Sequence, residues 1–146
     1  MFFRIAKKTN PGDASISAVG ESNFALAVSQ AVGDPLNASA TGAAAPISAT
    51  LAGAAGKYTY ITGFEVTGAG ATAAGVVLVT VTGVQGGTQN FYLAIPAGAA
   101  VGVNPLLVRF PVPLRSSALN TNIVVNVPSF GAGNTSAAVA AHGFTH

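Results

Sequence analysis

The chain has no cysteine, no tryptophan and one methionine, and its 146 residues include only six Lys or Arg and four Asp or Glu. Without cysteine there is no disulfide framework, and the fold rests on its own core. At this length a domain buries roughly 70% of its unfolded-chain surface, so neither disulfide nor metal is needed to hold it. The missing thiols also accord with assembly in a reducing compartment. Long apolar runs are lacking as well: Thr, Ser, Gly, Asn or Pro interrupts every hydrophobic stretch well short of the about 20 residues that a membrane-spanning helix requires. The opening MFFRIAKKTN does not read as a secretory signal, because its charges at Arg4, Lys7 and Lys8 follow the aromatic pair and no apolar run comes after them. Disorder is excluded by what is present, since 50% of the residues are hydrophobic and only 7% are charged.

The net charge is +2, so the basic pI of 9.3 rests on very few groups and is a weak argument for nucleic acid. Placement says more than the total. No Asp, Glu, Lys or Arg lies between Glu65 and Arg109, and none follows Arg115, after which only His142 and His146 can titrate. An ordinary domain devotes about a quarter of its residues to charge. A surface made of Thr, Ser, Asn, Gln, Gly and Ala therefore points to a protein largely covered by neighbours, with neither nucleic acid nor membrane among its partners.

Hydrophobic periodicity along the chain is mostly two. Lys57–Thr67 alternates Tyr58, Tyr60, Thr62, Phe64 and Val66 with Thr59, Ile61, Gly63, Glu65 and Thr67, which reads as a half-buried strand. Val76–Thr82, Thr88–Ile95 and Ile123–Val127 repeat the pattern, as does Leu106–Phe110, where Pro111-Val-Pro113 is expected to stop the ladder by removing amide donors. Ile47–Leu51 reads as a short strand, and Ala137, Val139 and Ala141 as a last weak one before Gly143. Ser22–Val32 fits either a strand or one face of a short helix, ended in both cases by Gly33-Asp34-Pro35. The expectation is an all-β fold: a single jelly-roll-like β-sandwich of about eight short antiparallel strands over residues 14–146, with an extended N-terminal arm at 1–13. An immunoglobulin-like sandwich has the same strand spacing.

Chemistry-bearing groups are few. A carboxylate pair for glycoside hydrolysis would have to join Glu65 to Asp34, no G-x-S-x-G elbow presents a serine to His142 or His146, and two histidines without cysteine fall short of a zinc site. Gly68-Ala-Gly70 with Gly75 has the wrong spacing for a dinucleotide fingerprint, and Gly56-Lys57 lacks the rest of a P-loop. Asn37-Ala-Ser39 and Asn134-Thr-Ser136 match the glycosylation sequon by chance. No catalytic residue, cofactor or metal is expected. The one basic cluster is Arg4, Lys7 and Lys8 beside Phe2 and Phe3, which together form a candidate contact arm for a partner surface.

Lys57-Tyr-Thr-Tyr-Ile-Thr-Gly-Phe-Glu-Val-Thr-Gly68, Phe110-Pro-Val-Pro-Leu114, Asn122-Ile-Val-Val-Asn-Val-Pro-Ser-Phe-Gly-Ala-Gly-Asn134 and Ala141-His-Gly143 resemble stretches of small Gly/Ala-rich structural proteins of tailed bacteriophages. The resemblance spans residues 57 to 143. It implies a jelly-roll capsid decoration, or cement, protein: a homotrimer on the capsid exterior of a virion assembled in the bacterial host cytoplasm, bracing joints between copies of the major capsid protein. No catalytic residues and no cofactor come with it. On this view the Phe2–Lys8 arm and the segment Asn37–Ala55 reach neighbouring subunits, while the sandwich supplies the trimer interface. The alternative is a carbohydrate- or receptor-binding jelly-roll module of a phage head fibre or tail, with Tyr58, Tyr60 and Tyr92 as a stacking platform. Against it, the tyrosines share strand phases with core residues such as Phe64, which points to their burial.

Overall fold

Strands that alternate apolar and polar residues bury their apolar face only when a second sheet covers it. The computed structural model, which describes residues 33–146, meets that demand with two four-stranded sheets. In chain order the strands are β1 (Asp34–Gly42), β2 (Ile47–Leu51), β3 (Thr59–Ala69), β4 (Gly75–Thr82), β5 (Gln89–Ile95), β6 (Leu106–Arg115), β7 (Ile123–Val127) and β8 (Ser136–Thr145). One sheet is ordered β1-β8-β3-β6 and the other β2-β7-β4-β5, and every neighbouring pair is antiparallel. No helix occurs among the described residues.

The pairing has a simple generator. β1 pairs with β8, β2 with β7, β3 with β6 and β4 with β5, as in one long hairpin turning between β4 and β5. Winding that hairpin on itself lays β8 against β3 and β7 against β4. The product is a jelly roll. An immunoglobulin-like sandwich would group its strands ABED and CFG instead, so strand order decides between two folds that strand spacing left open.

The core lies between the sheets. Ile61, Phe64 and Val66 of β3 and Val139 and Ala141 of β8 face Val79 and Val81 of β4, Leu93 and Ile95 of β5, and Ile123, Val125 and Val127 of β7, all buried. Phe64 is fully buried at its centre, edge-on to Phe91 at 5.2 Å and 6.4 Å from Phe110. Aromatic contacts of this geometry add to the area the rings bury.

Several local expectations change. Asp34–Gly42 is a strand, against the expected break at Gly33-Asp34-Pro35; β1 ends its sheet, where a missing amide costs no ladder bond. Asn37–Gly42 and Ile47–Leu51 thus lie in the edge strands β1 and β2, joined by residues 43–46. β6 continues through Pro111 and Pro113 to Arg115. The prolines do interrupt pairing, since β6 residues 110–113 bulge opposite the single residue Thr62 before Leu114 rejoins Ile61. β8 runs through Gly143 to Thr145, and a Cβ at Gly143 would meet the Tyr60 carbonyl oxygen at 2.0 Å, so the bulged β3 approaches there as only glycine allows. The same bulge, with Thr62 unpaired against β8, reverses the phase of β3: Thr59 and Ile61 point inward on one side of it, Phe64 and Val66 on the other. Tyr60 is thereby turned to the outer face, where it and Tyr58 are half-buried, and Tyr92, in the outward phase of β5, is 75% exposed, so the expected burial fails outright for Tyr92 alone. The arm at 1–13, the strand-or-helix segment 22–32 and the remainder of 14–32 lie outside the described residues; the sandwich is the unit Asp34–His146.

Candidate functional site

The two sheets present unlike outer faces. That of β2-β7-β4-β5 carries no Asp, Glu, Lys, Arg or His in any strand. Its β4–β5 side is apolar: Leu78 pairs with Tyr92 and Val76 with Ala94, and Val76, Leu78 and Tyr92 are 65%, 36% and 75% exposed. Around them lie Thr80 in register with Asn90 and Asn126, and Thr82, whose hydroxyl accepts from Asn126 Nδ2 at 3.4 Å. An exposed apolar cluster flanked by neutral polar residues suits a protein interface.

The face of β1-β8-β3-β6 holds the ionisable groups. Every acidic, basic or histidine residue among the described ones lies in these four strands, except Lys57, just before β3, and His146, just after β8. Register sets Asn37, His142, Gly63 and Arg109 side by side, one from each strand. Asn37 Oδ1 is 2.8 Å from His142 Nδ1. An amide oxygen only accepts, so Nδ1 carries the proton in this pair, and Nε2 faces Glu65 Oε1 at 3.9 Å. A Cβ on Gly63 would come within 3.0 Å of Arg109 Nη1, which places the guanidinium over that glycine. One row further on, Tyr60 stacks on Phe144 at 4.9 Å. Arg115 lies 4.2 Å over the Tyr58 ring and donates to Gln85 Oε1 from Nη2 at 2.7 Å and Nε at 3.1 Å. At the start of β1, Asp34 pairs with Lys57, whose hydrogen bond and charge hold the Asp34 carboxyl below its usual range. Both partners are exposed, so this pair contributes little to stability.

The expected arm residues Phe2, Phe3, Arg4, Lys7 and Lys8 lie outside the described residues. Asp34 and Glu65, the one conceivable carboxylate pair, are not brought together. Asp34 is in register with Thr145 and Glu65 with Ala140, five positions apart along β8. That is roughly 17 Å of strand, beyond the roughly 9.5 Å limit for paired carboxylates. No group of three or more metal-ligating side chains occurs among the described residues, and no helix there is long and apolar enough to cross a membrane. Asn134 of the second sequon is buried and structural: its Oδ1 accepts from Ala44 N at 3.1 Å, and its Nδ2 donates to the Ala69 and Ser136 carbonyls at 2.7 and 2.8 Å. The apolar outer face has one local signal in the sequence, the second phase of β4, where Val76 and Leu78 are apolar opposite an already apolar Val77, Val79 and Val81; periodicity alone does not show which phase a second sheet leaves uncovered.

Comparison with protein-family models gives no match, and comparison with curated proteins gives none. Among solved structures the chain is similar, over 77% of its length at 17% identity and a TM-score of 0.24, to a chain of the structure of infectious bursal disease virus Gx strain. It spans 29% of that chain, and a likeness at that TM-score carries no argument about fold or role.

Proposed function

We propose that this chain is a non-enzymatic structural protein of a virion, a decoration or cement protein on the outer surface of a bacteriophage head that stabilises joints between major capsid subunits. The observation that carries the reading is the segregation of charge: a jelly roll whose described ionisable groups attend one sheet, while the other sheet turns out an uncharged face that exposes Val76, Leu78 and Tyr92 along its β4–β5 side. Jelly rolls are an architecture of capsid proteins, and a neutral, partly apolar face suits contacts that close against a repeated surface. The work is adhesion. A protein that binds only the assembled shell stabilises it by RT ln(1 + [L]/Kd) at each site, with no turnover and no cofactor. Its partners would be the major capsid protein and further copies of itself, on the capsid exterior. Co-sedimentation with undecorated phage capsids tests this: the full chain pellets with the shells, and deletion of residues 1–10 abolishes pelleting while the sandwich stays folded. A folded full chain that stays in the supernatant at every salt concentration overturns the proposal, and unchanged pelleting of the deletion removes the arm from it.

One observation favours a second reading, a glycan-binding module: Tyr92 stands exposed instead of buried. Binding to a glycan array that is lost in Tyr92→Ala would move the assignment there.

A further inference from the structure

Four strands terminate the two sheets, β1 and β6 in one, β2 and β5 in the other. A sheet edge exposes unpaired amides and carbonyls, and proteins blunt such edges with proline, charge or brevity. Three of the four are blunted here. β1 begins Asp34-Pro35, β6 carries Arg109, Pro111, Pro113 and Arg115, and β2 has five residues and follows Pro46. β5 is the least protected of the four: Gln89-Asn-Phe-Tyr-Leu-Ala-Ile95 runs seven residues with no proline or charge inside it, and only Pro96, just past its end, limits it. Among the described residues it exchanges backbone hydrogen bonds with β4 alone.

We infer that β5 is a homotypic docking edge, paired antiparallel with β5 of a second copy of this chain. A free strand edge is satisfied by another free strand edge. Since the other three edges of the described sheets are blunted, the complementary edge that its own solution supplies is a second β5. Antiparallel self-pairing runs about a twofold axis, so each contact occurs twice and both outer faces stay on the same side of the joined sheet. Charge allows it, because a twofold sets like groups against like groups and neither β5 nor β4 carries any charge to repel. Two four-stranded sheets become one, and the Leu78 and Tyr92 of both copies form a continuous uncharged face. Full overlap of the seven residues puts the axis at the central Tyr92, with Asn90 opposite Ala94 of the second copy. This pairing does not depend on the decoration reading, and a twofold pair differs from the homotrimer that the sequence resemblance implies.

The absence of cysteine makes the test direct. In the full-length protein, Tyr92→Cys under mild oxidation is expected to run predominantly as a covalent dimer, whereas Ser48→Cys, on the opposite edge strand of the same sheet, stays a single chain. Should Tyr92→Cys fail to fold, a mixture of Asn90→Cys and Ala94→Cys proteins gives the cross-linked pair. By light scattering the parent protein approaches twice the chain mass, and Asn90→Lys with Ala94→Lys returns it to the single-chain mass with an unchanged circular dichroism spectrum. A monomer at all concentrations, a trimer without the cysteine cross-link, or an oligomer that survives the two lysines overturns the inference. Capsid pelleting is read separately, so failure here leaves the proposed function standing, and the reverse holds.

Discussion

The two sheets are alike inside and opposed outside. Both line one core with β-branched and aromatic residues, yet β1-β8-β3-β6 turns Asn37, His142, Glu65 and Arg109 to its outer surface while β2-β7-β4-β5 turns out Val76, Leu78 and Tyr92. The difference shows how a chain with so little charge divides its labour. Hydration and local polar contacts are concentrated on one face, which frees the other to be uncharged and sticky without pairing like charges wherever two copies, or a copy and a lattice, meet.

The largest loss is expected from removing what the two sheets share. Phe64→Ala empties the centre of the core, where Phe64 meets Phe91 and Phe110, and should cost about 3–5 kcal/mol in chemical denaturation with both sheets lost in one transition. Gly143→Ala strikes the crossing of β8 over the bulged β3, where the added methyl meets backbone rather than a movable side chain; a loss of about 1–3 kcal/mol is expected, read by the same melt. Thr59→Val probes polar satisfaction in the same interior. The Thr59 hydroxyl is buried with no hydrogen-bond partner among the described residues, so the near-isosteric valine should raise stability by about 1 kcal/mol, whereas a loss would show that the hydroxyl is satisfied. The smallest effect is the Asp34–Lys57 pair. Its folded carboxyl lies below the ordinary carboxylate value, so the pair contributes stability above that value and loses it as pH falls through the depressed one. Lys57→Met should therefore lower the melting temperature slightly near neutral pH, and the gap from the parent protein should close in acid.

Much of this was legible from periodicity. Ile47–Leu51 and Ile123–Val127 appear within the bounds that alternation predicted, and Glu65 faces outward as its phase required. The misses have physical causes. β1 was hidden because its inward residues Leu36, Ala38 and Ala40 are mostly small and its Pro35 is tolerated only at an edge, a property of sheet order rather than of local sequence. The orientation of Tyr60 was inverted by one extra residue at Thr62, because a period-two reading carries its phase straight through a bulge. Strand order, which separates the jelly roll from the immunoglobulin sandwich, arises from long-range pairing such as Asp34 with Thr145. The uncharged face was half legible: the empty stretch between Glu65 and Arg109 announced it, but only the fold placed Leu78 beside Tyr92.

The most direct measurement is capsid co-sedimentation of two sets of variants, one for each outer face, at low and high salt. Val76→Lys and Leu78→Lys place charge on the uncharged face in β4, off the β5 edge, at positions 65% and 36% exposed, where folding stability should change by no more than about 1 kcal/mol. Arg109→Ser and His142→Ser remove charge or hydrogen bonding from the opposite face. The expected result is that the two lysine variants stay folded and lose the shells while the serine variants pellet as the parent does. Pelleting by the lysine variants together with loss in the serine variants would contradict the account, because it would make the charged face the one that binds.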